Sequence, residues 1–174
     1  MTQAFELRCY EYVNRPYGIV REALVADSRG VFQRATLGAA DRASAVAANL
    51  RVEIGVLEVG ADITMHVGGV EERPSSPVGS GPMTKIRLEW QAAHSAGLFP
   101  AMSAELSIYA LSPYETQLDL RGEYRPPLGA VGGALNALIG HRVAEASVHR
   151  FLKDVAVLLK ETLPTPESTS SQLG

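Results

Sequence analysis

Between Lys85 and Arg121 the chain repeatedly alternates apolar and polar residues. Ile86, Leu88, Trp90 and Ala92 oppose Lys85, Arg87, Glu89 and Gln91; Met102, Ala104, Leu106 and Ile108 oppose Ser103, Glu105 and Ser107; Leu118 and Leu120 oppose Gln117, Asp119 and Arg121. A period of two puts the apolar side chains of each strand on one face and the charges on the other. Strands of this kind predict an antiparallel sheet with one dry and one wet face, and the dry face needs a cover. The segment after Pro126-Pro127-Leu128-Gly129 supplies it. Val148, Phe151, Leu152, Val155, Leu158 and Leu159 form one helical stripe, with Arg142, Arg150, Lys153 and Lys160 opposite, so the spacing predicts an amphipathic helix ending near Leu163.

The other elements follow from the same two periods. Phe5, Leu7, Cys9 and Val13 mark a first strand, with Glu11 as the one charge on its apolar side. Pro16 opens a helix carrying Ile19, Val20, Ala23 and Leu24, and Asp27 or Ser28 caps a second one with Val31, Phe32 and Ala35, which Gly38 is placed to break. Ala39 to Asn49 reads as a further helix. Leu50, Val52, Ile54 and Val56, then Ile63, Met65 and Val67, read as a hairpin turning at Gly60-Ala61-Asp62. Pro74 to Pro82 has the composition of a mobile loop. These readings make residues 1–163 a single α+β domain, and the polar, aperiodic segment 164–174 a disordered tail.

A chain of 174 residues suffices for one domain with a sizeable core. Its net charge of -3 provides no positive field for phosphate backbones, so nucleic acid is not an expected partner. Met1 to Val13 carries charges inside its apolar run and does not read as a signal peptide, and no apolar run is long enough to cross a bilayer. Cys9 is the single cysteine. It cannot form an internal disulfide, and a cytoplasmic location, not an integral membrane one, is the simplest expectation.

The order strand, two or three helices, five antiparallel strands and one long helix resembles the helix-grip fold of the START-like SRPBCC superfamily. The block Leu118-Asp119-Leu120-Arg121-Gly122-Glu123-Tyr124-Arg125-Pro126-Pro127-Leu128-Gly129, leading into Gly140-His141-Arg142-Val143-Ala144-Glu145-Ala146, is similar to one in bacterial members of unassigned function. The resemblance covers roughly Phe5 to Leu163. It implies a curved antiparallel sheet wrapped around a long C-terminal helix with a hydrophobic cavity between them. Members of the superfamily include lipid and hormone carriers, polyketide aromatases and cyclases, and chaperone-associated modules.

The residues themselves offer no assembled catalytic set. There is no phosphate-binding glycine loop and no nucleophile elbow, and no cofactor is expected. His141, Glu145 and His149 recur at every fourth residue, but the helical wheel turns His149 toward the polar side, where a solvated pair with Glu145 is expected rather than a metal site. His141, at the start of the apolar stripe, is placed to orient a ligand or move a proton. Trp90, Met65 and Met102 lie on dry strand faces, as core packing or as pocket walls. Glu11 is either turned out by a bulge or faces the cavity. His66 and His94 read as surface residues. The apolar residues of Val131 to Ile139 lie opposite the main stripe, so either Gly140 breaks the helix, or this segment packs on the loop and second helix, or it forms an exposed patch for a partner. Three functions follow: binding of a hydrophobic small molecule or lipid, a cyclase- or aromatase-like enzyme using His141 or Glu11, or a homodimeric interaction module.

Overall fold

The structure is a computed structural model that describes residues 4–28, 30–39, 63–76, 81–92, 101–125 and 133–165. Within it lie β1 (Phe5–Val13), α1 (Tyr17–Ala26), β2 (Ile63–Arg73), β3 (Met83–Ala92), β4 (Ala101–Ser112), β5 (Glu115–Arg125) and a long C-terminal helix (Gly133–Thr162). Residues 30–39 form a further helix; it is α2, and the C-terminal helix is α3. The five strands make one curved antiparallel sheet in the order β1-β5-β4-β3-β2. The predicted strand at Leu50 to Val56, most of the helix predicted to Asn49, His94, and the tail beyond Thr165 lie outside the described residues.

The alternation sets the layers. Leu7, Cys9, Ile86, Leu88, Trp90, Met102, Leu106, Ile108, Leu118 and Leu120 are buried on the inner face, and Val148, Phe151, Leu152, Val155 and Leu159 of α3 meet them. Val20 and Leu24 of α1 and Phe32 and Ala35 of α2 complete this core. The side chain of Asp27 caps α2 as expected, accepting the Gly30 N–H at 3.2 Å. Pro16 is the N-cap of α1 rather than its first helical residue.

Gly38, placed to break a helix, is itself helical, and of the three alternatives for the segment before Gly140 the helix break is not the one taken. Gly38 lies within α2 and faces α3, where a Cβ would meet the Asp154 carboxylate. Gly140 lies inside a helix continuous from Gly133 to Thr162. One glycine costs only about 1 kcal/mol in a helix interior, which the packing of so long an element outweighs. The side chains of the patch predicted at Val131 to Ile139 lie outside those described.

Helix α3 runs parallel to β1. His141 lies beside Phe5 with ring centroids 6.3 Å apart, the Cys9 thiol points to the Val148 carbonyl at 4.0 Å, and Arg15 meets the helix end. The lengths agree, since Phe5 to Arg15 as strand and His141 to Leu163 as helix each span about 33 Å. At that end the Arg15 guanidinium donates to the carbonyls of Lys160 at 2.6 Å and Leu163 at 3.1 Å, and to Thr165 Oγ1 at 3.4 Å. It thereby satisfies last-turn carbonyls that have no partner within the helix, and Thr165 is tied in, although the sequence reads as tail from residue 164.

Gly122 has no room for a side chain. A Cβ there would lie 2.7 Å from the Ala104 Cβ and 2.8 Å from the Ser103 carbonyl oxygen. Only glycine opposite alanine lets the inner face close this tightly.

Candidate functional site

The register assembles the site. Met65 lies opposite Trp90, Trp90 opposite Met102, Met102 opposite Tyr124, and Tyr124 opposite Phe5. One cross-strand row thus traverses all five strands on the covered face, near one end of the sheet. The three apolar residues singled out from sequence are consecutive members of it. Tyr124 and Phe5, which complete it, were not singled out, although continuing the alternation of β5 past Arg121 brings Tyr124 onto the dry face.

The middle of the row is packed tightly. Trp90 is 1% exposed, and its ring meets Phe151 of α3 edge-on at a centroid distance of 5.0 Å. Its indole N–H donates to Thr36 Oγ1 of α2 at 3.4 Å, and the Thr36 hydroxyl faces the Met65 sulfur at 3.8 Å. A tryptophan can be buried this deeply because its one polar group finds an acceptor. Met65 is only partly buried, at the β2 edge.

The other end of the row is polar. The buried Tyr124 ring stacks on Phe5 at 5.5 Å, and its hydroxyl is hydrogen-bonded to His141 Nδ1 at the start of the buried stripe of α3. His141 Nε2 lies 3.6 Å from Glu145 Oε1, and the His141 side chain is 42% exposed. The i,i+4 pair therefore joins Glu145 to His141, not to His149, because packing against Phe5 and Tyr124 holds the His141 ring in place while His149 is exposed. Burial, and secondarily the Glu145 carboxylate, push the Tyr124 hydroxyl above its ordinary pKa, keeping it protonated and a hydrogen-bond donor at neutral pH. The arrangement is a relay from a buried phenol through an imidazole to a carboxylate at the surface.

Glu11 is not turned out by a bulge. The β1–β5 register is unbroken from Phe5 to Val13, and Glu11 is half-buried on the covered side opposite Leu118. It is separated along β1 from the Tyr124–His141 pair. Cys9 is buried between them, and desolvation, with the carboxylates of Glu11 and Asp119, pushes its thiol up to about 12. His66 is exposed.

A curved antiparallel sheet with a long C-terminal helix packed on its inner face is a helix-grip arrangement. No protein-family model matches the chain, and no curated protein matches it in sequence. Among solved structures it is similar to the Zhui aromatase/cyclase from Streptomyces sp. R1128, at 15% identity and a TM-score of 0.48, over 91% of this chain and 95% of that one. It is also similar to a START superfamily protein from Mycobacterium smegmatis, at 11% identity and a TM-score of 0.42 over 91% and 99% of the two chains. Norcoclaurine synthase from Thalictrum flavum, in complex with dopamine and hydroxybenzaldehyde, is similar at 8% identity and a TM-score of 0.43 over 94% and 91%. Among the described residues no helix is long and apolar enough to cross a membrane.

Proposed function

We propose that this protein binds a hydrophobic small molecule or lipid between the inner sheet face and α3. In this reading Trp90, Met65 and Met102 are walls, the ligand's polar end lies at Tyr124 and His141, and Glu11 is a second polar anchor. The observation that carries it is the row itself, apolar across the sheet and ending on a hydroxyl–imidazole pair connected to solvent. A buried tyrosine needs a partner for its hydroxyl in any core; here that partner is part-exposed and paired with a carboxylate, so this end of the row is polar and reaches solvent. An apolar lining with a few convergent polar groups is the usual composition of a ligand site.

The test uses Trp90, the single tryptophan. Titration with medium-chain fatty acids and with fused-ring aromatics is expected to change its emission saturably, and native mass spectrometry of protein purified from cells is expected to show a co-purified apolar mass. Unchanged emission across both panels together with a ligand-free mass would overturn the reading.

The Tyr124–His141–Glu145 arrangement favours one second reading, a cyclase-like enzyme in which Tyr124 gives its proton to a substrate oxygen and the resulting phenolate is reprotonated by water through the part-exposed His141 imidazole. Tyr124→Phe separates the two. A carrier keeps its affinity within about threefold, the worth of one neutral hydrogen bond at the low end of its range; an enzyme loses turnover while its binding persists.

A further inference from the structure

The outer face of the sheet carries a charge pattern that ligand binding does not use. β1 presents Glu6 and Arg8, β5 presents Glu123 and Arg121, β3 presents Glu89 and Arg87, and in each strand the two charges are two residues apart. The register aligns them into stripes. Glu6 lies opposite Glu123, Glu123 opposite Ser103, and Ser103 opposite Glu89, while Arg8 lies opposite Arg121, Arg121 opposite Glu105, and Glu105 opposite Arg87. An acidic row therefore runs beside a predominantly basic one, along an open depression of about 720 Å³ lined by Glu6, Arg8, Arg87, Glu105, Arg121 and Glu123.

Like charges directly opposite each other weaken a sheet. Among the described residues only the basic stripe is relieved: Asp119, its side chain 3% exposed, accepts from Arg8 at 2.8 Å and Arg121 at 3.1 Å, and Lys85 holds Glu105 at 2.5 Å. Among the described residues Glu6, Glu89, Glu123 and Arg87 have no ion-pair partner.

We propose that this face docks a second copy of the chain, about a two-fold axis running between the acidic and basic rows and parallel to them. That rotation exchanges the rows while keeping each strand over its own counterpart. Glu6 then meets the second copy's Arg8, Glu123 meets its Arg121, Glu89 meets its Arg87, and the Ser103 hydroxyl donates to its Glu105. Every unmatched charge gains an opposite one, and the contact is isologous and closes as a dimer. The area is adequate. With the axis passing at Leu7, Gly122, Ala104 and Leu88, about eight residues of each strand overlap, and five strands about 4.8 Å apart at about 3.3 Å per residue then present about 600 Å², or about 1,200 Å² in total, the low end of a standard interface. The surface lies on the opposite side of the sheet from α3, so it is independent of the ligand site.

Sedimentation velocity of the full chain tests it. A dimer is expected at low salt and weakens as salt rises. Arg87→Glu, at an exposed position on a central strand, places like charges across the axis and is expected to raise the dimer Kd at least about tenfold. The exchange Arg87→Glu with Glu89→Arg restores complementarity between identical chains and is expected to bring Kd back to within about threefold of the parent, since close charge pairs act as coupled units. Glu6→Lys, on the edge strand, weakens the dimer as Arg87→Glu does, and unchanged circular dichroism shows that each variant folds. A monomer at low salt, a dimer indifferent to Arg87→Glu and Glu6→Lys, or a double exchange that fails to restore association overturns the proposal.

Discussion

Cys9 shows how one position can be legible in kind and not in degree. Its place on the dry side of β1 marks it as an inert thiol, but the strength of that inertness depends on neighbours that alternation does not reveal: the helix above it and the carboxylates of Glu11 and Asp119, which with burial push it up to about 12. The folded protein at pH 8 is therefore expected to react with a thiol reagent at least roughly a hundredfold more slowly than the denatured chain, because the thiolate is the nucleophile. Comparable rates in stopped-flow absorbance would show that Cys9 is reached without unfolding. Tyr124 illustrates the converse. Sequence places His141 at the helix start, but the identity of its partner depends on register, and nothing local joins β5 to a residue on α3.

The elements were the most legible level, because strand and helix periods differ and each apolar set has one face to bury. The two-residue turn at Pro113–Tyr114 lets β4 and β5 extend beyond the stretches with clean alternation. Gly38 and Gly140 are both helical because the packing of their helices outweighs the small cost of one glycine. Helix α3 offers the sharpest test. Phe151, 2% exposed, contacts the rings of both Trp90 and Phe32. Phe151→Ala should cost about 3–5 kcal/mol through lost transfer energy and the remaining cavity. Lys153→Ala, two residues on at an exposed position, should cost less than about 0.5 kcal/mol. Urea denaturation giving equal small losses for both would mean that α3 does not grip the sheet.

At the scale of the whole molecule the register does what no single element can. It turns five alternating strands into an inner apolar row ending at the Tyr124–His141 pair and an outer face of charged stripes. Asp119 lies between those two faces energetically. Burial alone would raise its pKa, yet the guanidiniums of Arg8 and Arg121 together hold its carboxyl below the usual carboxylate range. A folded-state pKa depressed below the unfolded value adds stability that is fully present above the unfolded pKa, about 4, and is lost as pH falls through the folded one. Stability measured by urea titration should accordingly fall below about pH 4, with Asp119 contributing to the slope. Asp119→Asn should lower stability at pH 7 by about 1.5–3 kcal/mol, the range for hydrogen bonds to a charged group, because it leaves Arg8 opposite Arg121 without the carboxylate between them. The same variant should show a shallower loss in acid, so that the two curves converge at the lowest pH. Parallel curves at every pH would show that the carboxyl carries no linked proton, and that the like-charged pair at the centre of the outer face is neutralised by something other than Asp119.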